Sequence, residues 1–161
     1  MYFGKKFDSF TCSSITLNDS PLEFVSEWKY LGVLLKSDSR FNCSAKKCRT
    51  AFFRSSNSIL NVLNRPSETV LMKLLYNVCV PVITYACDVV SFHYKEMESL
   101  HVAVNDAIRK IFSYNRWESI KTLRESLGYL SVTEIFANRK RSFENKLSHI
   151  GNSTLSFLFK L

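Results

Sequence analysis

Apolar positions change their rhythm about a fifth of the way along the chain. Before residue 37 they fall in short aromatic and β-branched runs, and after it they recur every three or four residues. Ile15 to Leu17, the turn-forming Asn18-Asp19-Ser20-Pro21, and Leu22 to Val25 predict a hairpin. Trp28 to Leu35 predicts a further strand, and Met1-Tyr2-Phe3 another. The first helix is expected from Ser37 or Asp38, both good caps, to about Leu63. Its stripe is Phe41, Ala45, Cys48, Phe52, Ile59 and Leu63, and Asn64-Arg65-Pro66 stops it. A second helix, Ser67 to Phe92, aligns Leu71, Leu75, Val78 and Val82, with Pro81 kinking it near Asn77. A third, Glu96 to Phe112, aligns Leu100, Val104, Ala107, Ile108 and Ile111, and a short fourth, Glu118 to Leu127, ends at Gly128. Ser131-Val132-Thr133-Glu134 reads as a capping box opening a fifth, whose buried side is Val132, Phe136, Phe143 and Leu147. The expected class is α+β: short antiparallel β elements over residues 1–36, then a mainly α-helical bundle over 37–161.

Composition sharpens this. At 161 residues the chain is one domain by size, able to bury a real core. Its formal charge of +8 makes a polyanion the first partner to consider. The most apolar stretch, Leu71 to Val90, carries Lys73, Asn77, Pro81 and Asp88, so it reads as core and no membrane partner is expected. Five cysteines without a CxxC pair, and an N-terminus unlike a signal peptide, point to reduced thiols and an intracellular setting, cytoplasmic or nuclear. Cys43 and Cys48 fall on the expected first helix, where a buried, inert thiol suits Cys48. His93, His101 and His149 are not spaced for a metal, and no metal ligands are assigned.

Several blocks share the pattern of one family. Glu27-Trp28-Lys29-Tyr30-Leu31-Gly32-Val33 resembles the block that closes the palm in reverse transcriptases of non-LTR retrotransposons, particularly jockey-like groups. Val80-Pro81-Val82-Ile83-Thr84-Tyr85-Ala86, Val104 to Ile111, and Ser126 to Val132 are similar to three later blocks of that family, in the same order and with compatible gaps. The resemblance runs from Met1 to about Leu147. It implies the end of a palm (1–36) followed by a thumb and connector (37–161). The parent enzyme would be an RNA-directed DNA polymerase, and this part would clamp an RNA–DNA or DNA duplex.

There are departures. The family's Ala-Asp-Asp turn, whose aspartates hold two Mg²⁺ ions, has no counterpart, and no two acidic residues are adjacent. Two-metal polymerisation needs carboxylates converging on cations about 3.5–4 Å apart. Asp8, Asp19, Asp38, Asp88 and Asp106 are scattered, so no catalytic residue is assigned. No cofactor is expected here, Mg²⁺ belonging to the parent enzyme, and the chain is not expected to be an enzyme by itself. It is expected to begin within the palm, the rest of the palm and the fingers being its missing partners. Ala86 stands where the family carries glycine, and the family's tryptophan a few residues later is missing.

The resemblance places Lys29, Tyr30 and Gly32 beside the primer strand; the residues themselves fit equally well an ordinary strand that bends at glycine. Arg40, Lys47 and Arg54 recur every seven residues with Lys46 beside them, and Arg109-Lys110 and Arg139-Lys140-Arg141 form further basic clusters. Each cluster alone reads first as a solvated helix face; together, on a chain of +8, they point to phosphate contacts. Two alternatives stay open: a helical protein–protein adaptor domain, and a decayed element remnant without function.

Overall fold

A computed structural model describes residues 15–37, 42–62, 66–90 and 92–149. The expected strand at Met1 to Phe3, the cap at Asp38, the basic Arg40, and the helix end at Asn64-Arg65 lie outside the described residues. Short antiparallel strands precede a mostly helical body, the α+β class expected.

The first hairpin pairs β1 (Thr16–Leu17) with β2 (Ser20–Pro21). Asn18 (φ 48°) and Asp19 (φ 61°) are both left-handed, as a two-residue type I′ turn requires, and these residue types tolerate that region best after glycine. The run expected as one strand, Trp28 to Leu35, instead folds back on itself. β3 (Glu27–Tyr30) and β4 (Val33–Lys36) are antiparallel, and Leu31 (φ 45°) and Gly32 (φ 84°) make the turn. Gly32 therefore reverses the chain rather than bending a continuous strand.

The first helix starts later than expected. Asn42–Ser44 is a strand, β5, paired to the free edge of β4 in the order β3-β4-β5. The helical periodicity through Phe41 and Ala45 is overridden because β4's second edge would otherwise lack backbone partners beside the buried Cys43 and Ser44. Cys43 is thus a strand residue, not a helix neighbour of Cys48. Helix α1 is Lys46–Val62, its first amides met partly by the Ser44 hydroxyl, 3.3 Å from the Lys46 N–H.

The second helix holds the largest departure from ideal geometry. Helix α2 (Glu68–Leu74) runs through a π turn at Leu75–Cys79 into α3 (Val80–Ile83). Pro81 has no N–H for the Asn77 carbonyl, and the disturbance expected near Asn77 takes the form of this wider turn. A π turn takes one extra residue, so the inward face steps forward. Leu71, Met72 and Leu75 are followed by Cys79, Val80 and Ile83, while Val78, expected inside, is exposed. The helix ends at Ile83 rather than Phe92, giving way to a turn in which Ala86 has φ 59° and accepts the Val89 and Val90 amides at its carbonyl.

Helix α4 (Tyr94–Ile111), capped by the His93 ring on the Lys95 N–H, is the centre of the body. Its Leu100, Ala103, Val104, Ala107, Ile108 and Ile111 are buried, against Phe52 of α1, the α2–α3 face, and Val132 and Phe136 of α6. Helix α5 (Lys121–Ser126) begins after Glu118, which instead braces the preceding loop. It stops at Gly128 (φ 75°), where the Tyr129 N–H returns to the Arg124 carbonyl. Helix α6 (Val132–His149) opens on the expected capping box: the Ser131 N–H donates to Glu134 at 2.6 Å, and the Glu134 N–H to the Ser131 hydroxyl at 3.2 Å. Tyr76 stacks on Tyr129 with centroids 4.3 Å apart and donates to the Leu130 carbonyl at 2.9 Å; burial pushes its phenol up to about 12.

Candidate nucleic-acid interface

Two segments far apart in sequence meet at the β3–β4 turn. The Tyr85 hydroxyl, carried on the turn after α3, donates to the Leu31 carbonyl at 3.3 Å. A Cβ on Gly32 would come within 3.2 Å of the Tyr85 ring, so a side chain there would meet both the ring and an unfavourable φ. The turn Leu31-Gly32 is thereby held against the end of α3.

Beside this contact lies an open depression lined by Lys29 and Gly32 of the hairpin, Lys47 and Ala51 of α1, and Pro81 and Tyr85. Lys29 sits on the hairpin face of its cross-strand partner Leu34, which is buried, so the lysine borders the body while remaining exposed. Lys47, Ala51 and Arg54 follow the i, i+4, i+7 pattern, so Arg54 continues the same exposed face about 10.5 Å beyond Lys47. Tyr30 is exposed near the hairpin tip, and Lys46 is exposed at the start of α1. Of the expected stripe, Lys47 and Arg54 lie on α1, which begins at Lys46, and Arg40 lies outside the described residues.

The other basic clusters divide. Arg109 is an internal tie: it pairs with Asp106 at 2.9 Å, and its Nε donates to the Glu118 carbonyl at 3.2 Å. Arg139 donates to the Thr84 carbonyl at 3.2 Å, which closes the end of α3 against α6. Lys110 is exposed and reaches Asn57 of α1 at 3.5 Å. Lys140 and Arg141 are exposed on α6. The Asp106 and Thr84 contacts explain why these arginines are where they are without a ligand.

Little else offers chemistry. Burial raises the thiols of Cys43, Cys48, Cys79 and Cys87, the last to about 11 with Asp88 adding to it, so none is an activated nucleophile. Among the described residues no group of His, Cys, Asp and Glu is arranged to hold a metal ion, and no helix is long and apolar enough to cross a membrane. Comparison with family models, with curated proteins and with solved structures finds no match.

Proposed function

We propose that this chain is the palm end and thumb of a non-LTR retrotransposon reverse transcriptase, binding the primer–template duplex and not catalysing by itself. The observation that carries the reading is the Tyr85–Leu31/Gly32 contact, because it joins two of the blocks that resemble the family. The backbone supports it too: Ala86 is left-handed, φ 59°, at the place where the family has glycine. The chemistry follows from the surroundings. Lys29, Lys47 and Arg54 present cations along one open face, where a phosphate backbone can meet them. Contacts of this kind ignore base sequence and weaken with salt. The exposed Trp28 and Tyr30, two residues apart on one face of β3, suit a surface covered by the upstream palm.

The test is binding of a labelled RNA–DNA duplex as salt is varied. Changing Lys29, Lys47 and Arg54 together to Gln should weaken binding and flatten the log–log salt slope by about 0.9 per lost phosphate contact. All three are exposed, so the melting temperature should hardly change. Unchanged affinity and slope in a folded triple variant would remove this face from duplex binding.

A further inference from the structure

We propose that the loop between α4 and α5, centred on Trp117, is a second nucleic-acid contact that takes unpaired bases by stacking. Trp117 is 84% exposed, more than any other large apolar side chain among the described residues. An indole left in water on a slack loop would mean little, but this loop is braced at several points. Ser113 takes a left-handed φ of 56°, and the Tyr114 N–H returns to the Arg109 carbonyl at 2.9 Å. The Arg109 side chain spans from Asp106 to the Glu118 carbonyl. The Asn115 N–H and side-chain amide both donate to the Glu118 carboxylate, at 2.9 and 3.2 Å. Trp117 is therefore offered from a backbone fixed on both sides, which lowers the ordering cost of binding.

The charges around it select the ligand. Asp106, on α4 at the edge of the depression, is paired with Arg109, and Glu118 of the loop accepts from Asn115. Arg116 and Lys110 remain exposed, and with the 41% exposed Tyr114 they border one open depression. The exposed Tyr114 at this depression, with the exposed Trp117 next to Arg116 in the chain, suits a single strand: bases stack on the rings, and phosphates meet the cations. A protein partner reading an apolar patch would find cations where it needs more apolar surface. This contact uses none of Lys29, Lys47 and Arg54, so it goes beyond the duplex reading and stands on separate residues.

Tryptophan occurs twice in the chain, at 28 and 117, which makes a direct test available. In the full chain carrying Trp28→Phe, tryptophan emission, excited at wavelengths that tyrosine does not absorb, comes from Trp117 alone. Titration with a single-stranded oligothymidylate should quench it saturably, and the midpoint should move to higher oligonucleotide concentration as salt rises. In the parent chain, Trp117→Ala should weaken single-strand binding about tenfold or more, the scale of one lost base stack, with duplex affinity little changed. Trp117→Tyr, which keeps a ring, should restore part of the loss. The Gln variant at Lys29, Lys47 and Arg54 should keep the Trp117 response even though its duplex binding falls. Absence of quenching, or equal single-strand affinity in Trp117→Ala, would overturn the proposal while leaving the duplex reading intact. Quenching by anionic vesicles but not by the oligonucleotide would overturn it in favour of a lipid surface. Loss of the Trp117 response in the Gln variant would make the loop part of the duplex face and equally end the claim of a second site.

Discussion

The helical body and the strands that precede it are held by different means. In the body, Phe52, Met72, Ile83, Leu100 and Ile108 are essentially without solvent contact and belong to one continuous core. In the strands, Leu34 and Cys43 are buried, but Leu17, Trp28 and Tyr30 are each more than half exposed. The strands are ordered by backbone pairing, by two tight turns, and by the Tyr85 contact; the helices are ordered by the area they remove from water. The basic face lies at the seam, with Lys47 and Arg54 on a firmly packed helix and Lys29 on the lightly held hairpin. One wall of the proposed duplex site is thus rigid, and the other is free to adjust as a partner covers the strands.

The sharpest way to separate the two regions is to damage the core. Ile108 is fully buried in the last turn of α4, and Ile108→Ala should cost about 2–5 kcal/mol in urea unfolding, through lost burial and the cavity left behind. Amide exchange should then accelerate in α4 and in α1 by that full amount. In β3 and β4 it should barely change, because those amides open locally before the body unfolds. Equal acceleration in the strands would mean that the two regions unfold as one unit and would erase the contrast.

What was legible in the sequence follows the same division. The α4 face from Leu100 to Ile111, the stop at Gly128 and the capping box at Ser131 could be read directly, because each depends on residues within a turn or two of one another. Asn42–Ser44 could not: nothing in Asn-Cys-Ser favours a strand, which exists because β4 offers it an edge. Leu31 at φ 45° concealed the hairpin, since leucine is a poor turn residue and Gly32 alone reads as a bend. The π turn was half legible, Pro81 marking the place but not the step that turned Val78 outward. At the site, i, i+3 spacing was the available signal for the Asp106–Arg109 pair, obscured by the basic cluster at Arg109-Lys110, whereas the carbonyls that receive Arg109 and Arg139 belong to the tertiary structure. Trp117 between Arg116 and Glu118 was visible as a residue, but its exposure was not.

A smaller effect tests the local devices that start the last helix. Ser131→Ala removes the hydroxyl that accepts the Glu134 N–H and donates to its carboxylate, and should cost about 1 kcal/mol. The Ser131 hydroxyl, and after it the Ser131 N–H, holds Glu134 below its usual value near 4.5. A depressed folded pKa contributes stability that is present above that usual value and fades as pH falls through the folded one. The difference between the parent chain and Ser131→Ala should therefore be constant near neutrality and shrink in acid, below about pH 4.5. A difference independent of pH would show that the carboxylate takes no part in the cap.

The smallest effect should have the opposite sign, and it bears on the seam itself. Ala86 holds φ 59° in the turn that carries Tyr85 to the hairpin, a conformation that places its Cβ close to its own backbone. Glycine relieves that strain, worth about 1–2 kcal/mol, but gives the unfolded chain more freedom, worth about 0.4–1 kcal/mol in the other direction. Ala86→Gly should accordingly stabilise the protein by about 0.5–1 kcal/mol, a rise of a few degrees in melting temperature. Because the turn positions Tyr85, part of the gain should appear as slower exchange at Tyr30 and Val33, whose strands meet at the tip that Tyr85 holds. Destabilisation by Ala86→Gly would mean that the unfolded-state cost wins and that the turn is not strained at this residue. Stabilisation without slower exchange at the tip would mean that Tyr85 rests on the hairpin without holding it, leaving the strands ordered by their own pairing alone.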